Sequence, residues 1–324
     1  MKPVRIAGLI AVAMLLGAVA FTAAAQSYPT KPIRVVIPWP IGGITDVITR
    51  AVALHLTEAF GQQVIVDNRP GAGGTLGAGI VAKAPPDGYT LLMHDVASHS
   101  ISANLYSKLP YDTLKDFEPI TLVAGSPMIL VANPGLNVRT LPELIALAKS
   151  KPGQLNYASS GNGAINHLAA ERLHRMVGIQ LAHIPFKGSI QAATSVIAGD
   201  TAISLSTIPA AVPQAKAGKL VMIATSFAKR TAQLGDVPTI AETVGEFDHG
   251  FYSALWAPAG TPREIVERLH AEITRAVEQP KVKEILALNA AEPGRMTPPQ
   301  FSQYVATEVR IWGEVIRAAG IKGD

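Results

Sequence analysis

Along most of this chain, short apolar runs alternate with stretches in which apolar positions recur every three to four residues. The first pattern suits strands buried on both faces and the second suits helices with one buried face. Their alternation predicts an α/β fold with largely parallel sheets. Strands are expected at 33–37, 64–67, 90–93, 120–123, 129–132, 155–158, 202–205 and 221–225. Three helix starts carry a Thr followed three residues later by Glu or Gln, with an early proline: Thr140/Glu143, Thr261/Glu264 and Thr297/Gln300. That spacing lets each side chain satisfy a free backbone donor of the other residue. In the last of these helices Phe301, Val305, Val309, Trp312 and Ile316 form a core-facing stripe, which makes Trp312 a packing residue.

Two interruptions of the pattern carry chemistry. After the run 33–37, Pro38 and Pro40 stop the strand, and Gly42-Gly43 opens a helix from about Thr45 with Val47, Ala51 and Leu54 on one face. Glycine lets the main chain approach a ligand without a Cβ. The free N–H groups and positive dipole end of the helix then favour an anion. Further on, Ser159-Ser160-Gly161-Asn162-Gly163-Ala164 joins the strand at 155–158 to a helical run at 165–177. Two such helix starts across a cleft suit the two ends of a carboxylate ligand, with Ser and Asn side chains adding donors. Ordinary βα turns and helix caps use the same residues, so either segment alone leaves both readings open. Their corresponding places in two lobes favour binding. His94 and His99 follow the strand at 90–93, where open α/β sheets border a ligand crevice. His94 is a candidate carboxylate donor, Ser98 in the same stretch is counted with it, and the alternative is a histidine satisfied within its loop.

Composition narrows the function. Residues 1–25 carry Lys2 and Arg5, an apolar run at 6–21 and Ala23-Ala24-Ala25, which reads as a cleavable secretory signal. A membrane anchor is the weaker alternative, because the apolar run is only just long enough to span. The chain has no cysteine, which excludes a lipid-modified cysteine, a disulfide and a thiolate metal site. A free soluble protein of the periplasm is expected. Its 28 Lys and Arg face 24 Asp and Glu, and two of the basic residues belong to the leader. Near balance, with no basic cluster interleaved with aromatics, argues against a nucleic-acid partner. Gly71, Gly73 and Gly77 miss the dinucleotide spacing because Leu76 stands in the third glycine's place, so this stretch reads as a closely packed helix start. Gly218-Lys219 is followed by Leu220, which rules out a phosphate loop, and the histidines show no metal-ligand spacing, so neither cofactor nor metal is expected. At this length two domains are expected. Residues 126–243 read as a self-contained βα series, giving a discontinuous first lobe at 26–125 with 244–324 and a second lobe at 126–243.

With both loops considered, the sequence resembles the periplasmic solute receptors of the tripartite tricarboxylate transporter family, the Bug-type receptors. The resemblance is carried by Tyr28-Pro29-Thr30-Lys31-Pro32-Ile33, Asp67-Asn68-Arg69-Pro70-Gly71-Ala72-Gly73-Gly74, Pro86-Asp87-Gly88-Tyr89-Thr90, Leu109-Pro110-Tyr111-Asp112, Asn156-Tyr157-Ala158-Ser159-Ser160-Gly161-Asn162-Gly163 and Ala257-Pro258-Ala259-Gly260-Thr261-Pro262. It implies a two-lobed type II periplasmic-binding-protein fold that closes on a small carboxylic acid for delivery to a membrane permease, without catalysis and as a monomer. Carried over by position, Trp39, Pro40, Ile41, Gly42 and Gly43 with Thr45 and Asp46 form the first-lobe carboxylate loop. Ser160, Gly161, Asn162, Gly163 and Ala164 form the second.

The chain also departs from the family. The usual first loop is similar to Phe-Ala-Pro-Gly-Gly-Gly, whereas here Pro40 has no N–H to offer and Trp39 and Ile41 add bulk. Ser206 stands where many relatives have an aspartate, which argues against amino-acid ligands. His94 replaces a common glycine, which points to a dicarboxylic or aromatic acid. Lys187 matches a frequent Pro-Tyr-Lys-Gly turn, either structural or anion-attracting. Two rivals stand beside this reading. A secreted hydrolase would use Ser160 or His94 in the same cleft, but no paired base appears at recognisable spacing. A receptor serving a sensor protein would show the same sequence.

Overall fold

The computed structural model describes residues 28–319 and 321, and every element named below lies in the compact unit that begins at Lys31. The leader at 1–25 lies outside the described residues. The strands are β1 (Ile33–Ile37), β2 (Val64–Asn68), β3 (Thr90–Asp95), β4 (Phe117–Ala132), β5 (Asn156–Ser159), β6 (Ala182–Pro185), β7 (Ile203–Thr207), β8 (Val221–Thr225), β9 (Gly250–Pro258) and β10 (Glu292–Pro293). They run in the order β2-β1-β3-β9-β4-β7-β5-β6, with β8 and β10 also on β4. The β2-β1-β3 and β7-β5-β6 groups are parallel, as the alternating pattern implies. The central strands β9 and β4 are antiparallel to their neighbours.

β4 joins two lobes. Its residues 117–127 pair with β9, and its residues 128–132 pair with β7. On the first side Trp256, Phe301, Val36 and Leu92 share a core; on the second Ile129, Val131, Ala158 and Val196 do. The stripe on the helix Pro298–Ala319 is buried at Phe301, Val305, Trp312 and Ile316.

The structure corrects several expectations. The strands expected at 120–123 and 129–132 are one strand. Gly125-Ser126-Pro127 has turn-forming residues, but β9 pairs with it throughout, and Ser126 Oγ donates to the Asn289 carbonyl at 2.8 Å. β9 itself lies outside the expected strands. It contains no Val, Ile or Thr, and its strand-favouring residues are the scattered aromatics Phe251, Tyr252 and Trp256. The box at Thr140/Glu143 forms in both directions. The one at Thr261/Glu264 does not, because the Thr261 hydroxyl donates to the Pro258 carbonyl at 2.7 Å. Gln300 accepts from both the N–H and the hydroxyl of Thr297. A reciprocal pair not anticipated, Thr239 with Glu242, starts the short helix Ala241–Val244. In the helix Ile44–Phe60 the buried face runs through Ile44, Ile48, Val52 and Leu56, while Leu54, expected inside, is 57% exposed.

Candidate ligand cleft

Beyond β1 the chain turns through 38–43, with Gly42 at φ +85°, into the helix Ile44–Phe60. No side chain caps this helix from Gly43. Instead the Asp46 carboxylate reaches back. It accepts from Gly42 N at 2.9 Å, from Asn68 Nδ2 at 3.0 Å and from Arg50 at 3.0 Å. The loop is thus pinned from inside, and the N–H groups of Gly43, Ile44, Thr45 and Asp46 have no acceptor among the described residues. Four donors at the positive end of a 17-residue helix form an anion-attracting surface.

Across the gap, the helix Ser189–Ala198 begins at Gly188, also without a side-chain cap, and the N–H groups of Ser189, Ile190 and Gln191 have no acceptor among the described residues. A narrow cavity of about 30 Å³, open to solvent, lies between these helix starts. Trp39, Pro40, Ile41, Gly43, Ile44 and Thr45 line one side, Ser160, Gly188–Gln191 and Thr207 the other, with Phe251 contributed by β9. None of these side chains is charged. Thr207 is 3% exposed, and its hydroxyl has no hydrogen-bond partner among the described residues. A second cavity adjoins the first at Trp39 and Ser160, and its walls include Gly71–Gly74, Tyr106, Gly161, Asn162, Phe186 and Lys187.

The lobes touch around these cavities. Tyr106 Oη donates to the Asn162 carbonyl at 3.1 Å, and Ser98 Oγ accepts from Ile165 N, the first residue of the helix Ile165–Val177, at 3.1 Å. Glycine is required at the tightest approaches. A Cβ on Gly73 would overlap the Asn162 carbonyl, and one on Gly188 would sit 2.8 Å from Pro40 Cγ.

The expected residues therefore divide into groups. Trp39, Pro40, Ile41, Gly43, Thr45 and Ser160 come together on the first cavity, and Gly161, Asn162 and Lys187 lie on the second. Gly42, Asp46, Ser98, Gly163, Ala164 and Ser206 line neither. Asp46 and Gly42 bond to each other, and Gly163 N donates to His167 Nδ1 at 3.3 Å. Ala164 N donates to the Gly161 carbonyl at 3.2 Å. Ser206 is fully buried in β7, one residue short of the cavity. His94 is fully buried rather than at the cleft edge. Its ring lies 5.6 Å from that of Trp39 and 5.4 Å from that of His99. Burial, and then the neighbouring His99, hold its pKa well below the ordinary histidine value, so the ring is neutral. Sequence reasoning missed Gly188–Gln191 and Thr207. The signal was present, since Lys187-Gly188-Ser189 precedes a helical run much as the other two loops do.

Ser160, the serine named as a hydrolase candidate, is not paired with an imidazole. Its hydroxyl donates to the amide oxygen of Asn166 at 2.8 Å. Ser159 Oγ lies 2.6 Å from His183 Nε2, but neither residue lines the two cavities. No group of three or more metal-ligating side chains forms among the described residues.

The sequence pattern of the tripartite tricarboxylate transporter family receptors matches residues 48–321. The chain belongs to this family. The receptor is 34% identical to the protein BugT of Bordetella pertussis over 324 residues, 99% of each chain. It superposes on the R. palustris Rpa4515 structure with adipate with a TM-score of 0.87 at 32% identity, covering 91% of this receptor and 99% of that chain. For MatC from Rhodopseudomonas palustris with bound malate the TM-score is 0.84 at 31% identity, over 89% and 100% of the two chains. The receptor's fold is accordingly the two-lobed α/β fold of periplasmic solute-binding proteins, with the cleft between the lobes. No helix among its described residues is long and apolar enough to cross a membrane.

Proposed function

We infer that this receptor works in the periplasm, captures a small organic carboxylate between its lobes and delivers it to a membrane permease of the tripartite type. The lobes in this reading are 26–125 with 244–324, and 126–243. The observation that carries it is the pair of uncapped helix starts, one from each lobe, whose N–H groups and the Thr207 hydroxyl surround a cavity free of charged side chains. Buried donors without acceptors are costly, and a carboxylate supplies acceptors with the sign that both helix dipoles favour. The adipate and malate of the two related structures belong to the same chemical class. Three-point contact from opposite lobes makes binding and closure one event.

The test is a thermal-shift screen of mono- and dicarboxylates, followed by titration calorimetry. A ligand at 100 times its Kd adds about 2.7 kcal/mol. At about 2–4 °C per kcal/mol, the melting temperature should rise by several degrees. Shifts produced by sugars or amines, with none from carboxylates, would overturn the reading.

A further inference from the structure

Of the two helix starts that face the first cavity, one carries an acid and the other does not. Asp46 stands in the first turn of the helix Ile44–Phe60, whereas the helix Ser189–Ala198 has no acidic residue in its first turn. The Asp46 side chain is 3% exposed, and the residue follows Thr45, which lines the cavity. A helix start carries about half a unit of positive charge, less than the full negative unit of a carboxylate. Taken alone, Asp46 would therefore turn an anion-attracting surface into a repelling one. Arg50, one turn further along, offsets it. Its Nε lies 3.0 Å from both Asp46 oxygens and its Nη2 2.9 Å from one of them. Nη2 also donates to Asn68 Oδ1 at 3.0 Å, and Asn68 Nδ2 in turn donates to Asp46 and to the Trp39 carbonyl. Asp67, beside Asn68, is paired with Arg34 and Arg69 instead. Arg50 is half-exposed and lines neither cavity.

We propose that Arg50 is a positioning residue for anion capture: it neutralises Asp46, so that this acid holds the loop at 38–43 in shape without repelling the carboxylate that the loop receives. The proposal rests on the carboxylate reading of the first cavity. The pair then has two separable tasks. The bond from Gly42 N needs only an acceptor on residue 46, which an asparagine also supplies. The guanidinium is needed because that acceptor is charged. Charge, more than the forked shape of arginine, is what residue 50 must provide, and a lysine should serve there.

Titration calorimetry with acetate, succinate, adipate and benzoate as probes tests this, each variant being compared with the unaltered receptor at the same salt. In Arg50→Met affinity should fall about tenfold at about 0.01 M salt and recover to within about threefold at about 1 M, where charges are screened within a few ångströms. Arg50→Lys should stay within about threefold at both concentrations, since it keeps the charge. Combining Arg50→Met with Asp46→Asn removes the repelling charge together with its partner, so low-salt affinity should recover to within about threefold. A guanidinium with a purely structural role predicts otherwise: a loss in Arg50→Met that is equal at both salt concentrations, or one that Asp46→Asn deepens, overturns the proposal. Circular dichroism checks the fold of each variant, because Arg50→Met leaves a buried carboxylate unpaired. Should that variant not fold, the double variant and Arg50→Lys decide, and a loss of about tenfold or more in either at low salt overturns the proposal. If none of the four probes binds the unaltered receptor, the carboxylate reading itself falls and the role of Arg50 with it.

Discussion

Single residues decide whether the lobes meet and what they hold. Gly73 has φ +60° and places its missing Cβ against the backbone carbonyl of Asn162, which has no flexible end to move aside. Gly73→Ala should therefore weaken carboxylate binding at least tenfold by holding the lobes apart. Without ligand its melting temperature should fall by only a few degrees, since the left-handed backbone costs about 1–2 kcal/mol. Calorimetry beside thermal melts separates the two effects, and undiminished affinity would show that binding does not need this approach. Thr207 behaves in the opposite sense. Its buried hydroxyl has no hydrogen-bond partner among the described residues, so Thr207→Val should leave the ligand-free protein as stable or more so, while lowering affinity by about 1 kcal/mol. An unchanged Kd would remove Thr207 from the site. At this scale the sequence is legible where backbone geometry demands a residue type, as at Gly42 with its φ of +85°. It is not legible where a side chain has several possible partners. Asp46 could have met a ligand but turns to Gly42, Asn68 and Arg50, and His94 could have met one but lies behind Trp39.

Elements show the same division. The Thr140/Glu143 box formed because both partners are local, whereas at Thr261 a carbonyl three residues back takes the hydroxyl. The parallel strands β1 and β2 announce themselves by β-branched runs. β9 is made of aromatic and small residues, and its place between β3 and β4 is fixed by partners distant in sequence. Another long-range relation ties Ser98, in the helix Val96–Leu105, to the first N–H of the helix Ile165–Val177. Ser98→Ala would leave that N–H buried and unpaired when the lobes meet and hydrated when they part. The penalty of about 1–3 kcal/mol falls on the closed form alone. Ligand affinity should drop at least fivefold, and small-angle scattering should show a larger mean radius without ligand. Equal affinity and equal radius would make Ser98 a local packing residue.

For the whole molecule, buried imidazoles dominate the response to pH. Burial lowers His99 and His167 to about 3, and His174, His183 and His249 to about 4. Mutual repulsion adds to the effect at His167 and His174. Unfolded imidazoles titrate near 6.5. Between that value and the folded ones the unfolded chain binds more protons, so this stability is complete above pH 6.5 and is lost as pH falls toward 4. Asp95 runs the other way. Burial raises its pKa to about 7, so its contribution is present below the unfolded value and fades as pH rises through 7. The histidines outnumber it, and the melting temperature at pH 5 should lie clearly below that at pH 7.5 by scanning calorimetry. A flat or inverted profile would mean that these rings are hydrated in the folded state.

β4 runs unbroken for 16 residues and changes partners at Pro127, from β9 before it to β7 after it. A receptor whose halves are joined by loops can swing on them like a gate. Here any swing must twist a strand that is laddered on both flanks, at 124–125 by β9 and β10 and at 129–132 by β7 and β8. The seam is therefore a torsion spring rather than a pivot. Its restoring force grows with the angle of opening, so the distance between the jaws is limited by the elasticity of the sheet, and stiffening or slackening at Ser126 and Pro127 should alter how fast a ligand escapes without touching anything that holds it.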